Sequence, residues 1–254
     1  MTRHDGAVDI PPAVDALATE LRRIDWVTHL LVGGSLATGD YRPGVSDLDL
    51  VAIIDPPRGA DPRPAIRRVH RHLDGGVAAG AALGCAYVAR DSVAETTARH
   101  PTWTHGRLVE RPLSGIARIE LARHGFAVLG QPPGAVFGPV SDEDVRHAAL
   151  EELTGYWTVA ARRPWWWLDP SIAELGLTSM ARGRHALETG ALLTKSAAID
   201  VVDAPAWLRS DLRARRDGQH VRWRCLRAAR IAWRDARRTT AAARACAGTR
   251  AGRR

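Results

Sequence analysis

The chain has 254 residues, 45% of them hydrophobic and 25% charged, and a formal net charge of +8. This composition supports one large or two small globular domains, with no apolar run of the roughly 18 residues that a membrane span needs and no apolar stretch near the polar, proline-bearing start that would serve as a secretory leader. Cys85, Cys225 and Cys246 lie far apart and give neither a disulfide framework nor metal-ligand spacing, so a reducing cytoplasm is the expected compartment.

Pro11 and Pro12 lead into a helix over roughly 12–25, where Val14, Leu17, Leu21 and Ile24 recur at helical spacing. An apolar strand over 27–33 follows, then the turn Gly33-Gly34 and a short helix from Ser35. A second strand over 48–54 stops at Asp55-Pro56-Pro57. A helix over about 62–79 and a third strand, Leu83 to Ala89, come next. Residues 91–113 show no clear period and read as loop-rich; His100 and His105 flank Trp103 there as structural or surface groups. Ser114 caps a helix to about His124 that Gly125 ends. Phe126 to Leu129 reads as a short strand and Gly130-Gln131-Pro132-Pro133-Gly134 as a break.

Beyond Pro139 the patterns are helical only, over about 141–161, 171–189, 205–216 and 219–244. Ser141 caps the first of these, with Glu143 and Asp144 in its opening turn. The expected fold is α+β: a domain over 1–137 with a mixed β-sheet flanked by helices, a helical bundle over 138–245, and a basic, disordered tail over 246–254.

From Arg209 to Arg254 there are fifteen arginines against three aspartates. Aromatic interleaving is thin, with Trp207, Trp223 and Trp233 at positions that fit a helix burying one side. The favoured reading is a solvated basic helix face; the other is a nucleic-acid footprint. Lys195 is the only lysine in the chain, and its compact point charge is something a planar guanidinium does not copy.

The stretch from Gly33 to Ile54 carries the chemistry. Gly33-Gly34 permits a tight turn between strands. Ser35 then opens a helix whose free N–H groups favour phosphate. Asp47 and Asp49 are two apart on a strand, so both carboxylates point to one face. Adjacent carboxylates repel each other and attract a divalent cation, and such a site suits Mg²⁺ that also takes substrate phosphates. Two ions there can activate an attacking oxygen and stabilise a leaving one. Arg42-Pro43-Gly44 reads as a turn, with Arg42 open between a solvated and a phosphate-facing role.

Gly34-Ser35 followed by Asp47-x-Asp49 resembles the signature of the polymerase-beta-type nucleotidyltransferases. With the helical half included, the chain resembles the aminoglycoside adenylyltransferases that modify streptomycin and spectinomycin. The likeness extends to His124-Gly125-Phe126-Ala127-Val128-Leu129-Gly130-Gln131-Pro132-Pro133, and to Leu177-Thr178-Ser179-Met180-Ala181-Arg182 running through Thr189-Gly190 to Lys195. It implies AMP transfer from ATP to a hydroxyl of a small molecule, with pyrophosphate leaving. It further implies that Asp47 and Asp49 hold Mg²⁺, that Gly34 and Ser35 cradle the triphosphate, and that Lys195 neutralises it from the second domain. The family binds its aminoglycoside near the segment holding Trp165-Trp166-Trp167, Asp169 and Glu174. Trp167 there reads equally as a substrate wall or as a plug between domains, while Asp169 and Glu174 offer charge to a cationic acceptor.

The family also places a glutamate on its third core strand as catalytic base. The matching position is Gly84 or Cys85; Asp91 and Glu95 lie just beyond the strand, and Glu120 lies on a later helix. Two further readings keep the same fold: a nucleotide-binding or regulatory protein with weakened catalysis, and a transferase acting on nucleic acid or protein.

Overall fold

The computed structural model describes residues 9–222 and 225–251. Six strands, β1 (Val27–Val32), β2 (Leu48–Ile54), β3 (Leu83–Ala89), β4 (Arg99–Thr104), β5 (Arg107–Pro112) and β6 (Phe126–Leu129), form one sheet in the order β5-β4-β3-β2-β1-β6. β2 and β3 run parallel, joined by a crossover through α3 (Arg63–Asp74), and the other neighbours are antiparallel. The sheet is therefore mixed, as the alternation of strands and helices predicts.

Strand periodicity explains how both faces are covered. Leu30, Val32, Leu48, Leu50, Ala52 and Tyr87 point to the face packed by α1 (Pro12–Leu21) and α3. Leu31, Val51, Ile53 and Val88 point to the other face, against Leu121 of α4 (Gly115–His124). Burial of each such Leu, Ile or Val stabilises the fold by about 1.5–3 kcal/mol.

The segment 91–113 is ordered where the sequence reading expects loops. It contains the hairpin β4–β5, closed at His105 and Gly106, both with positive φ (49° and 71°). Such a two-residue turn normally announces itself as Asn-Gly or Asp-Gly, and a histidine in the first position hides it. Trp103 anchors the hairpin: it is buried, stacks on His70 at 5.1 Å, and its Nε1 donates to Asp74 Oδ2 at 3.0 Å. His100 is buried with it.

The second half is helical: α6 (Asp142–Thr154), α7 (Tyr156–Ala161), α8 (Pro170–Thr189), α9 (Lys195–Asp200), α10 (Ala206–Arg216) and α11 (Cys225–Ala251), preceded by the short α5 (Pro133–Phe137), which starts at the end of the expected break. Ser141 and Asp144 form a capping box at the start of α6. Gly155 interrupts what the sequence presents as one helix over 141–161, because its backbone (φ −87°, ψ −103°) leaves the helical region. α11 continues to Ala251, so residues 246–251 are helical rather than a disordered tail, while 252–254 lie outside the described residues. Ala228, Ala229, Ala232, Ala236 and Ala243 of α11 are buried in the core built around α8. Its arginines stand mostly outside that seam, and Arg237 covers the Trp233 ring at 5.0 Å. Trp223 lies outside the described residues.

The two halves meet where Ile119 of α4 packs with Val145, Ala148 and Ala149 of α6 and Ala186 of α8. No helix among the described residues is long and apolar enough to cross a membrane.

Candidate active site

β1 delivers the chain into Gly33-Gly34, and the one-turn helix α2 (Gly34–Ala37) follows. Gly33 N donates to Asp49 O at 2.9 Å, stitching the turn to β2. Gly34 has φ +57°, and a Cβ there would lie 2.2 Å from Asp49 Oδ2. Glycine is thus required twice, for its left-handed backbone and for the room it leaves a carboxylate. Ser35 is half-buried in the same turn, its carbonyl accepting from Asp40 N at 2.9 Å. α2 spans only four residues, so the free N–H groups of the turn matter for anion binding more than any helix dipole. Thr38 returns its hydroxyl to the carbonyls of Gly34 and Ser35. Arg42 points toward Asp217 of the helical half, 4.0 Å away, and both are exposed.

Asp47 and Asp49 flank Leu48, which is buried, so both carboxylates lie on the opposite side: Asp49 lines a cleft of about 310 Å³, and Asp47 is near enough for its charge to act on Asp49. Asp49 opens onto that cleft yet is hemmed in by protein elsewhere. Its carboxyl is pushed up to about 6 by this desolvation, with the charges of Asp47 and Glu120 adding to it. Among the described residues no group of three or more acidic, histidine or cysteine side chains is placed to hold a metal ion. The two-aspartate pair, strained by its own charge, fits Mg²⁺ of the kind that keeps several waters and shares substrate phosphates.

The register of β2 on β3 sets Asp49 beside Gly84. That strand position contributes no side chain, and a Cβ there would meet nothing closer than 3.5 Å. Asp91 bonds its neighbour Ser92, and Glu95 is exposed. Glu120, by contrast, projects from α4 into the cleft that Asp49 and Gly84 line, opposite Arg111 of β5. It is 17% exposed and forms an ion pair with Arg182 of α8, whose Nε also donates to Leu193 O at 2.9 Å. The sequence offers little to single out Glu120 from other helical glutamates; the strand order and the turn into α4 bring it there. Behind it, between α4, α6 and α8, a void of about 50 Å³ beside Glu152 is too small for a substrate.

Lys195 begins α9, where Thr194 caps the helix by accepting from Ala197 N at 3.1 Å. Its Nζ lies 3.1 Å from Glu174 Oε1, while Arg215 Nε donates to the other oxygen at 2.8 Å. Burial works to raise the Glu174 carboxyl, but the two cations outweigh it and hold the group below its ordinary range. Glu174 is therefore the partner of Lys195 and Arg215 instead of an acid free to meet a cationic substrate. Trp167 is no substrate wall: it is 1% exposed, donates Nε1 to Ala160 O at 3.0 Å, and fills the space that Gly176 leaves on α8. Asp169 caps α8 through Ser171 N at 2.8 Å and is exposed.

Residues 14–103 match the family model described as a nucleotidyltransferase domain. In structure the chain is similar to spectinomycin adenyltransferase AAD(9) from Enterococcus faecialis, solved with ATP and spectinomycin. The TM-score is 0.66 at 12% identity, over 89% of this chain and 98% of that one. This likeness shows a shared fold over both halves. No curated protein matches the chain in sequence. The domain match and the shared fold support an enzyme of the nucleotidyltransferase kind and a resemblance to the aminoglycoside adenylyltransferases.

Proposed function

We propose that the chain transfers AMP from ATP to a hydroxyl of a small molecule bound between its two halves, with an aminoglycoside as the acceptor class. The observation that carries this reading is the placement of Asp49 at the cleft, its carboxylate seated on Gly34 of the phosphate turn and the charge of Asp47 beside it. The fold shared with an enzyme solved with ATP and spectinomycin supports the choice of nucleotide and acceptor.

Asp47 and Asp49 would hold Mg²⁺, which when bound neutralises phosphate charge and polarises the reacting oxygens. The N–H groups of Gly34 and Ser35 bind the triphosphate tail, and Lys195 exchanges Glu174 for phosphate oxygens. The acceptor hydroxyl attacks the α-phosphorus in line. A new O–P bond forms, the bond to the bridging oxygen of the β-phosphate breaks, and pyrophosphate departs. The hydroxyl proton goes to Glu120, the acid of this cleft left over once the aspartates hold the cation. Arg182 orients that carboxylate. Positioning and charge neutralisation do most of the work, and a general base adds about 10²–10⁴-fold.

Pyrophosphate release from Mg·ATP over a panel including streptomycin and spectinomycin tests the reading. Release with one acceptor, lost in Asp47→Ala, is the expected result. A second reading rests on Gly84 standing beside Asp49: a nucleotide-binding protein with little turnover. Tight Mg·ATP binding with no release for any hydroxyl acceptor would favour it and sink the first.

A further inference from the structure

Arg216, at the end of α10, is buried to 4% of its side-chain surface and reaches across to the other half of the molecule. Its Nη2 donates to Asp40 O and lies 3.2 Å from Asp40 Oδ2, and its Nη1 donates to Ser46 Oγ at 2.8 Å. Asp40 itself is 7% exposed and takes two more donors from α9: Ser196 N at 2.9 Å and the Ser196 hydroxyl. Burial raises the Asp40 carboxyl, but the Ser196 hydrogen bonds and the Arg216 charge more than offset this, so it stays below its ordinary range. Ser46 also accepts from Arg42 N at 3.0 Å, which closes the loop that leads to Asp47.

The positions of these residues in the chain give the cluster its meaning. Asp40 follows the phosphate turn, Ser46 precedes Asp47, and Ser196 follows Lys195. One buried guanidinium therefore ties together the loop behind Gly34-Ser35, the start of the aspartate strand and the helix that begins with the lone lysine. Its neighbour Arg215 reaches the same lysine by a second route, through Glu174. A buried ion pair of this kind adds little net stability, because desolvation consumes most of the attraction; what it fixes is geometry. A hydrophobic pair would join the halves as firmly and leave the register of α9 free.

We infer that Asp40, Ser196 and Arg216 form a latch that sets the position of Lys195 relative to the loop behind Gly34-Ser35, making them positioning residues for nucleotide binding. The inference rests on the nucleotide reading above for its functional consequence. Its structural content is independent: α9 is held by Asp40.

The test uses the full chain and the variants Ser196→Ala and Asp40→Asn, each alone and combined with Lys195→Ala. Mg·ATP affinity is measured by calorimetry, and amide hydrogen exchange across α9 by mass spectrometry. The latch predicts that either variant weakens Mg·ATP about three- to tenfold and that this loss disappears in the Lys195→Ala background. It also predicts faster exchange in α9 with the sheet unchanged. Losses that multiply with that of Lys195→Ala would overturn the inference, as would unaltered α9 exchange in both variants. Should Asp40→Asn fail to fold, Ser196→Ala, which keeps the ion pair, decides alone. Absence of Mg·ATP binding by the unaltered chain would refute the nucleotide reading, and α9 exchange would still judge the latch.

Discussion

The sheet half and the helical half hold their charged groups in opposite ways. On the sheet side Asp49 and Glu120 form an acidic wall of the cleft, Asp47 is near enough for its charge to act on Asp49, and Asp49 is fixed by strand register and by a glycine that admits no side chain. The helical half carries Lys195, Arg182 and Arg215, each held by a carboxylate: Glu174 for Lys195 and Arg215, Glu120 for Arg182. Aspartates at the head of a rigid strand hold a cation at one point. Lys195 and Arg215, parked together on Glu174, can move to a polyanion when one arrives, while Arg182 stays on Glu120. The difference teaches that the sheet side sets where the reaction happens and the helical side sets how tightly the phosphates are held.

The sharpest way to break this division is Asp49→Ala. Loss of transfer by at least about 10³-fold is expected, with circular dichroism and the unfolding midpoint little changed, since removing a crowded carboxylate relieves repulsion. Near-normal turnover would remove the aspartate pair from the chemistry. Glu120→Gln should lower kcat by about 10²–10⁴-fold while Mg·ATP affinity stays nearly unchanged. An equal loss in affinity would move Glu120 from proton acceptor to binding group.

The unequal legibility of the two sides follows from the same physics. Asp47 and Asp49 sit in a local pattern: an apolar strand, a glycine turn and a second strand, all within one short stretch whose period of two sets the face. The mixed sheet and the helical second half follow from periodicity as well. Glu120, Arg182 and the Arg216 latch are products of tertiary packing. Glu120 is joined to Arg182 across 62 residues and Arg216 to Ser46 across 170. No local spacing encodes such pairs. Trp167 is ambiguous in the sequence for a related reason: three tryptophans in a row cannot share a face, and the deciding residue is Gly176, nine positions on, whose missing side chain lets the ring into the core.

That ambiguity yields the next prediction. Trp167→Ala should destabilise the chain by about 3–5 kcal/mol in urea unfolding and leave the acceptor KM of the folded fraction unchanged. A raised acceptor KM with normal stability would restore Trp167 to the substrate wall. On the helical side, Lys195→Ala is expected to raise the KM for Mg·ATP about tenfold, the worth of one charge-assisted hydrogen bond set. Lys195→Arg should recover only part, because a planar fork does not replace a point charge. An unchanged KM would leave the parked-cation picture without its main member.

The smallest effect separates the acidic wall from its solvent. Burial, Asp47 and Glu120 push the Asp49 carboxyl up to about 6 from its ordinary 3.8. Because the folded value lies above the unfolded one, ionising Asp49 opposes folding: the penalty is absent below about pH 4 and fully present above about pH 6. A divalent cation between the aspartates binds the ionised form and cancels that penalty, so its benefit grows as pH rises through this window. Adding Mg²⁺ should therefore raise the unfolding midpoint by a few degrees more at about pH 7.5 than at about pH 5, and Asp49→Asn should remove the difference. Equal shifts at both pH values, or a difference that survives in the variant, would place the cation elsewhere and leave the acidic wall without its metal.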